Sequence, residues 1–330
     1  MTPQDGRKKG WGGEIVERID ISEIRSAAER IKGKVVRTPL IPYNSIAGDT
    51  GIWVKPEILQ PIGSFKIRGA LNWELWMDKT ARVKGFTTIS AGNTAQAVGY
   101  ISKYFAVPGQ SIVPANTPQV KIDAIKSYGI KVVPKEGQDL WDYFFDPQWP
   151  DEPYNFLNPW AEPQMMAGSG TLGLEIMEDL PEVDTVFVPV GGGGLIGGVG
   201  SALSQIQGFS GKVVGVQSDA CPALKVSFKQ QGATWVTTSE TICDGTLVPL
   251  VVEEMYPLLR EVVDEVVTVS EESVKQAIRD LVNHNKLITE GSGALSLAGA
   301  LLMTKEERGR SVCILSGGSI QPDKLVSILS

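Results

Sequence analysis

The feature that most constrains the fold is a β-branched run at residues 184–190, followed by four consecutive glycines and an apolar run at 195–207. This pattern predicts a buried strand that turns tightly into a helix. The same order recurs elsewhere, for example from a strand candidate at 86–90 to a helix candidate at 95–105. Repeated strand–helix alternation indicates an α/β fold built on a parallel sheet.

Size and charge narrow the class of protein. The chain has 330 residues, enough for two domains, and its 42% hydrophobic and 21% charged residues are typical of a soluble globular protein. With a net charge of −7 and no long basic block, we expect no nucleic-acid partner. No apolar run reaches the roughly 18 residues of a membrane span, and no signal peptide is recognisable at the N-terminus, so no membrane partner is expected.

Cysteine and histidine usage restricts the chemistry. Cys221, Cys243 and Cys313 are far apart and form no CxxC pair, which predicts a reduced, cytoplasmic setting. His284 is the only histidine in the sequence. Catalysis by a histidine-centred triad, or zinc held by several histidines, is therefore nearly excluded, and no metal site is predicted.

The glycine run Gly191 to Gly194 is a candidate anion site. Glycines let the backbone approach an anion closely, and a helix N-terminus offers unpaired N–H groups, so a phosphate fits without a basic side chain. A tight strand–helix turn is the plain alternative. The glycines at 192, 194 and 197 also match the dinucleotide fingerprint, with Asp219 as the acidic residue, so a nicotinamide-dependent oxidoreductase is a rival.

Lys66 is a candidate nucleophile. It follows a turn containing Pro61 and Gly63 and precedes a helix-like run at 70–77. The dipole at a helix N-terminus disfavours positive charge and favours the neutral amine. A neutral amine can form a Schiff base with an aldehyde. A solvated surface lysine is the alternative for this residue taken alone.

Two further loops stand at predicted strand ends. Ser90-Ala91-Gly92-Asn93-Thr94 offers backbone N–H groups, hydroxyls and an amide, which suit a carboxylate. Ser316 follows the last predicted strand, where ligands of open α/β sheets bind, and could present a neutral hydroxyl to a ring nitrogen. For each loop considered alone there is a plain alternative: a capped helix start for the first and a tight turn for the second.

These motifs, with three others, carry a resemblance. In chain order they are Ser64-Phe65-Lys66-Ile67-Arg68-Gly69-Ala70, Ser90-Ala91-Gly92-Asn93, residues 167–176, residues 191–195, Asp244-Gly245, Glu290-Gly291-Ser292-Gly293-Ala294 and Ser316-Gly317-Gly318. The set resembles the threonine/serine dehydratase branch of the fold type II (tryptophan synthase β-like) pyridoxal phosphate enzymes. The likeness covers roughly residues 20–330.

The resemblance implies an architecture. We expect two open, twisted, mostly parallel sheets flanked by helices. Residues 1–50 and 156–330 would form a large cofactor-binding domain, and residues 51–155 a small domain that carries the Asn93 loop. No regulatory domain is expected, and the assembly would be a homodimer. Residues 137–160 are rich in aromatic side chains and depart from the helix usual there, so we interpret them as an irregular crossing segment.

The resemblance also assigns roles to residues. Lys66 would hold pyridoxal 5'-phosphate as a Schiff base and later act as the base at the substrate Cα. Asn93 would hydrogen-bond the phenolic oxygen of the ring, and Ser316 would face the pyridine nitrogen. The other cofactor contacts would come from Phe65, Gly191, Gly192, Gly193, Gly194, Leu195, Gly245 and Glu290. The carboxylate of a small amino-acid substrate would bind Ser90, Gly92, Asn93 and Thr94, with Ser90 as the second catalytic residue.

The implied activity is α,β-elimination of water from a β-hydroxy amino acid of the threonine or serine type, giving a 2-keto acid and ammonia. Four residues distinguish this chain from particular branches of the family. Thr94 replaces the usual His beside the carboxylate site, so a bulkier or acidic β-hydroxy amino acid stays open as the substrate. Thr94 also leans towards threonine synthases, whereas Ile67 argues against them. Ala91 stands where serine racemases have a proton-exchanging Ser, so little racemisation is expected, and Gln217 replaces a metal-binding carboxylate. β-Replacement or synthase chemistry, and a non-catalytic pyridoxal phosphate binder, stay open as alternatives.

Overall fold

The computed structural model describes residues 10, 12–45, 48, 50–145 and 153–330. Their strands are β1 (Ile41–Pro42), β2 (Ile52–Pro56), β3 (Phe86–Ile89), β4 (Gly109–Pro114), β5 (Lys131–Lys135), β6 (Asn155–Phe156), β7 (Thr185–Pro189), β8 (Lys212–Ser218), β9 (Glu265–Val269) and β10 (Ser311–Leu315). The helices are α1 (Ile21–Ile31), α2 (Lys66–Trp76), α3 (Lys79–Arg82), α4 (Asn93–Tyr104), α5 (Gln119–Lys126), α6 (Gly137–Phe144), α7 (Pro163–Asp179), α8 (Gly194–Leu203), α9 (Ala223–Gln230), α10 (Tyr256–Val262), α11 (Glu271–Asp280), α12 (Gly291–Leu301), α13 (Lys305–Arg308) and α14 (Pro322–Leu329).

The strands form two open sheets. A six-stranded sheet has the order β1-β2-β10-β7-β8-β9, in which only the β1–β2 pair is antiparallel. A four-stranded sheet has the order β5-β4-β3-β6 and is parallel throughout. The predicted architecture of two mostly parallel sheets with helices is therefore confirmed.

The larger sheet separates two hydrophobic clusters because alternate side chains of a strand point to opposite faces. In β7, Val186 and Val188 pack in one cluster and Phe187 in the other. In β10, Val312 and Ile314 lie in the same cluster as Val186, whereas Cys313 and Leu315 lie in the same cluster as Phe187. Burial on both faces explains why these strands are almost continuously apolar.

The predicted division of the chain into two domains stays a prediction. Strand β2 lies in the six-stranded sheet, because its partners β1 and β10 are there. Strand β6 pairs with β3 in the four-stranded sheet. The change from one sheet to the other therefore lies between β2 and β3 on one side and between β6 and β7 on the other.

The interpretation of residues 137–160 as an irregular segment is wrong over its first third, where α6 forms. Trp141 and Phe144 share one side of this helix, and Trp141 contacts Trp235 with ring centroids 5.0 Å apart. The ring centroids of Phe144 and Trp160 are 4.5 Å apart. Packing of the aromatic side against a distant part of the chain supports a helix that local sequence did not indicate. Trp149 lies outside the described residues.

The turn before α2 is joined to the end of β10. Phe65 N–H donates to the Ser316 carbonyl at 3.0 Å, and Gly318 N–H donates to the Gly63 carbonyl at 2.9 Å. Helix α2 begins at Lys66, four residues earlier than the sequence pattern predicted, so this lysine lies in its first turn. Two predicted site segments, around Lys66 and Ser316, are thus held side by side by backbone hydrogen bonds.

A buried ionic network anchors α2 on α7. The Arg68 guanidinium is fully buried and donates to both oxygens of Glu57, at 2.8 and 2.9 Å, and of Glu175, at 2.7 and 3.0 Å. Its remaining contacts are Thr171 Oγ1 and the Val36 carbonyl. The two carboxylates and the hydrogen-bond acceptors together offset the cost of removing this cation from water.

We predict that Arg68→Met strongly destabilises the protein. The change removes the ion-pair partner of the buried Glu57 carboxylate and leaves Glu175 paired with Lys55 alone, and breaking such buried pairs costs about 3–5 kcal/mol. Urea unfolding measures this as a loss in free energy of unfolding.

Arg37→Met is the matched control, because Arg37 is half exposed in its pairs with Glu178 and Asp179. Its loss should be no more than about 1 kcal/mol. Equal effects of the two substitutions would contradict the role given to the buried network.

Candidate active site

A cavity of about 540 Å³ opens at the carboxyl ends of β3, β7 and β10, between the two sheets. Every predicted site residue lines it: Phe65, Lys66, Ser90, Gly92, Asn93, Thr94, Gly191, Gly192, Gly193, Gly194, Leu195, Gly245, Glu290 and Ser316. The structure therefore brings these segments together, although they are spread along the chain from Phe65 to Ser316. The individual roles assigned to them stay predictions.

Lys66 presents its amine to an uncharged acceptor. Nζ donates to the Pro159 carbonyl at 2.7 Å and lies 5.1 Å from the centroid of the Phe65 ring. Burial of the amine lowers the pKa of Lys66 to about 8. Desolvation disfavours the ammonium, so a larger fraction of this lysine is a neutral nucleophile near physiological pH than of an exposed lysine.

The glycine run forms a cradle at the N-terminus of α8. Gly193 has φ +96°, a left-handed conformation that favours glycine. A Cβ at Gly192 would lie 2.4 Å from the Trp160 ring, and one at Gly194 would lie 2.5 Å from the Trp160 carbonyl oxygen. No side chain caps α8, whose first N–H groups therefore remain available to an anion.

The Asn93 loop connects β3 to α4. Gly92 N–H donates to Ser90 Oγ at 3.1 Å, and the Ser90 carbonyl accepts a hydrogen bond from Ser111 Oγ at 2.6 Å. Helix α4 begins at Asn93 and has no side-chain cap, and Thr94 in its first turn is 4% exposed. The loop thus offers an N-terminal helix dipole to a negatively charged group in the cavity.

Glu290 is a buried acid that contacts this loop. Its Oε1 accepts a hydrogen bond from Asn93 Nδ2 at 2.8 Å, while Asn93 Oδ1 accepts one from Ser319 Oγ. Burial raises the pKa of Glu290 to about 7, and the negative charge of Asp244 adds to the effect. The Asn93 amide nitrogen, predicted to bind a ring oxygen, is directed at this carboxyl group in the structure.

Ser316 lies at the carboxyl end of β10 and is 5% exposed. Its Oγ is 3.4 Å from the Ser292 carbonyl oxygen. The side chain is uncharged and cannot hold a proton on a facing ring nitrogen as a carboxylate could. This arrangement is compatible with the predicted neutral contact.

The cavity fits the chemistry of pyridoxal phosphate. An amine with a lowered pKa suits an aldehyde, bare glycine backbone at a helix N-terminus suits a phosphate, and a buried hydroxyl suits a pyridine nitrogen. These three groups line the same cavity. The fit rests on their donor and acceptor types and on the absence of Cβ atoms at the glycine loop.

Several lining residues were not predicted as site residues. Trp160 packs on the glycine loop. The sequence placed it only in the aromatic segment 137–160 and gave no indication of this contact. Lys121 and Asp244 form an ion pair of 2.6 Å at the cavity. Asp244 is part of the Asp244-Gly245 motif of the resemblance, so the sequence did offer a signal for this residue. Lys121 carries no local signal, because only folding brings α5 to the cavity.

The described residues provide neither a metal site nor a membrane-spanning helix. Among the described residues, no group of three or more His, Cys, Asp and Glu side chains is placed to hold a metal ion. The Gln217 amide oxygen is instead occupied by Leu224 N–H at 2.9 Å. In the same part of the chain, no helix combines the length and apolar character needed to cross a membrane.

Comparison with known proteins gives a family match. The family model described as pyridoxal-phosphate dependent enzyme matches residues 31–317 of this chain. The match covers the segments that line the cavity up to Ser316. It favours the pyridoxal phosphate interpretation of the glycine run over the nicotinamide alternative.

Curated relatives and a solved structure agree with this match. L-threonine ammonia-lyase of Geobacter sulfurreducens is 37% identical over 93% of this chain and 77% of its own length. L-threonine dehydratase catabolic TdcB of Escherichia coli (strain K12) is 36% identical over 94% of this chain and 96% of its own. Maize serine racemase has a TM-score of 0.86 at 29% identity, over 94% of this chain and 96% of that chain.

We predict that the Lys66 amine in cofactor-free protein deprotonates near pH 8. Since burial lowers the pKa, the neutral amine is populated as the pH rises through about 8 and is lost below it. Acetylation at a series of pH values, followed by peptide mass spectrometry, gives the midpoint for each lysine.

Lys103, exposed on α4, is the internal control with which the acetylation of Lys66 is compared. Coincident midpoints for Lys66 and Lys103 would show that burial does not activate the amine.

Proposed function

The chain belongs to the pyridoxal-phosphate-dependent enzyme family, and from this membership we propose that it is a threonine ammonia-lyase, or dehydratase, type of lyase. It eliminates water from a β-hydroxy amino acid of the threonine or serine type and releases a 2-keto acid and ammonia. The observation that carries the proposal is the convergence of Lys66, the glycine loop, the Asn93 loop and Ser316 on one cavity.

The cofactor would be held by residues that line this cavity. Lys66 would bind it covalently, the glycine loop and the N-terminus of α8 would hold its phosphate, and Ser316 would face its ring nitrogen. Further contacts would come from Phe65, Asn93, Leu195, Gly245 and Glu290. Bound there, pyridoxal phosphate supplies an aldehyde that reacts with amines and a ring that delocalises negative charge from a substrate Cα.

The protein orients the substrate through its carboxylate. The backbone N–H groups at the start of α4 and the hydroxyls of Ser90 and Thr94 would bind it, because a helix N-terminus favours a negative group. This contact fixes the position of Cα relative to Lys66. Positioning of a reacting carbon beside a base accounts for much of the rate enhancement in such sites.

Lys66 would perform the proton transfer. Its Nζ is neutral in a larger fraction than that of an ordinary lysine, because burial lowers its pKa. It takes the Cα proton, and the β-hydroxyl leaves with a proton as water. The resulting enamine takes up water, and its nitrogen leaves as ammonia, so the net products are a 2-keto acid and ammonia.

The neutral acceptor of Lys66 supports this role. A carboxylate beside Nζ would stabilise the ammonium and raise the pKa of the lysine, whereas the Pro159 carbonyl carries no charge. The sequence Asn158 to Ala161 holds that carbonyl in place, since Asn158 Oδ1 accepts hydrogen bonds from Trp160 N–H and Ala161 N–H, each at 3.1 Å.

β-Replacement is the second candidate, because Thr94 stands where dehydratases usually carry a histidine. A thiol added to the reaction distinguishes the two: a lyase releases keto acid regardless, whereas a β-replacement enzyme forms the thioether. The homodimeric assembly and the cytoplasmic location stay predictions.

We predict that Lys66→Ala lowers keto-acid and ammonia release from L-threonine by about 10³-fold or more, because the substitution removes the base at Cα and the covalent anchor. It should also abolish the covalent attachment of cofactor that borohydride fixes in the wild-type protein, as judged by intact mass.

Lys103→Ala, an exposed change on α4, is the control and should retain both properties. Full activity of Lys66→Ala would contradict the mechanism assigned to Lys66. If the wild-type protein carries the cofactor but releases no keto acid, the protein is a non-catalytic cofactor binder.

We also predict that racemisation of L-serine is slow relative to elimination. The Ala91 methyl group cannot donate a proton to the second face of Cα, and the residue lies in the cavity wall. Chiral chromatography of serine remaining during turnover measures the D-isomer. D-Serine forming as fast as pyruvate would contradict this prediction.

A further inference from the structure

Two sets of polar contacts join the sheets across the cavity. At the Asn93 loop, the four-stranded sheet meets Glu290 and Ser319. In the second set, Lys121 of α5 pairs with Asp244, which begins the short 3-10 helix Asp244–Thr246. The first set uses predicted site residues, whereas Lys121 and Asp244 have no role in the chemistry proposed above.

The ion pair lies next to the Asn93 loop. Asp244 precedes Gly245, where a Cβ would lie only 3.3 Å from Glu290 Oε1. Glu290 in turn accepts the hydrogen bond of Asn93. A continuous series of neighbours therefore leads from the predicted carboxylate site to the ion pair, and both of its members line the cavity that contains Lys66.

The two charges act inside the cavity as well as at its rim. The side chains of Lys121 and Asp244 are 33% and 38% exposed, so the pair lies between bulk water and the buried site. After burial, the largest effect on the pKa of Glu290 is an increase from Asp244, and Lys121 acts in the opposite direction. Both charges therefore influence the pKa of the buried Glu290 carboxyl group, and they do so in opposite directions.

We propose that the Lys121–Asp244 ion pair determines the charge selectivity of the site, so that the preferred substrates are β-hydroxy amino acids with a small uncharged side chain. This inference rests on the proposed function and specifies its substrate class. While the pair is intact, the charges of Lys121 and Asp244 compensate each other, and the exposed Lys324 is the same in every variant compared below. Loss of one partner leaves the other charge uncompensated in the lining of the cavity that would hold the amino acid.

The pair also ties the two sheets together, and that effect must be separated from selectivity. A lost tie weakens the binding of every amino acid by a similar factor, whatever the side chain. An uncompensated charge instead attracts one class of side chain and repels another. The ratio between a charged and an uncharged substrate therefore reports selectivity and is insensitive to the tie.

The test uses the cofactor-loaded protein with L-threonine and threo-3-hydroxy-L-aspartate as probes. Asp244→Asn leaves Lys121 uncompensated, and we expect the preference for hydroxyaspartate over threonine to rise about tenfold, as for one charge acting across several ångströms at a partly exposed site. Lys121→Met leaves Asp244 uncompensated and should shift the ratio in the opposite direction. The double variant should return to within about threefold of the wild-type ratio.

Two readouts are needed. The dissociation constant of each amino acid comes from the change in cofactor absorbance on titration, and kcat/KM comes from keto-acid release. If wild-type protein turns over neither probe, the proposed lyase function fails, while the ratio of dissociation constants still decides the selectivity proposal. Unchanged ratios in both single variants would overturn it.

Control variants complete the design. Lys126→Met removes an exposed lysine of the same helix outside the cavity and should leave the ratio unchanged. Lys121→Arg keeps the charge and should retain the wild-type ratio. If Asp244→Asn does not fold, Lys121→Met alone still decides, because a ratio equal to the wild-type value contradicts the proposal.

Discussion

The buried Arg68 network is the interaction on which the geometry of the cavity depends. Arg68 is two residues from Lys66 on α2, and its four contacts to Glu57 and Glu175 attach this helix to the loop before it and to α7. A buried charge tolerates little displacement, because any lost contact leaves it desolvated without compensation. The network therefore restrains the backbone that carries the Lys66 amine.

Close helix packing reinforces this restraint. A Cβ at Gly69 would lie 2.5 Å from the Met165 carbonyl oxygen, and one at Gly168 would lie 2.5 Å from the Arg68 carbonyl oxygen. Both glycines let α2 and α7 approach at backbone distance. The segment just before α7 supplies the Pro159 carbonyl that accepts from Lys66 and the Trp160 ring that packs on Gly192. One packed unit thus positions the amine, its neutral acceptor and the glycine loop together.

The cavity combines a largely uncharged interior with charged residues at its edge, namely the Lys121–Asp244 pair and the exposed Lys324. Lys66 and Ser316 each contact a backbone carbonyl, and no side chain caps the N-terminus of α8 at the glycine loop, so an incoming anion or amine would encounter few competing charges. Glu290 is the exception, and its raised pKa follows from its burial and from Asp244. The Lys121–Asp244 pair places the next charges at the opening, where water and the second sheet both reach them.

Local patterns were sufficient for the α/β class, the glycine loop, the candidate lysine and the two strand-end loops, because strand alternation, glycine runs and Pro/Gly turns act over a few residues. Sequence patterns failed for α6, whose aromatic side is stabilised by Trp160 and Trp235, and they placed the start of α2 four residues late. They also gave no reason to place Lys121 beside Asp244. These features depend on contacts between segments distant in the chain, so only the tertiary structure decided them, along with the burial that lowers the pKa of Lys66.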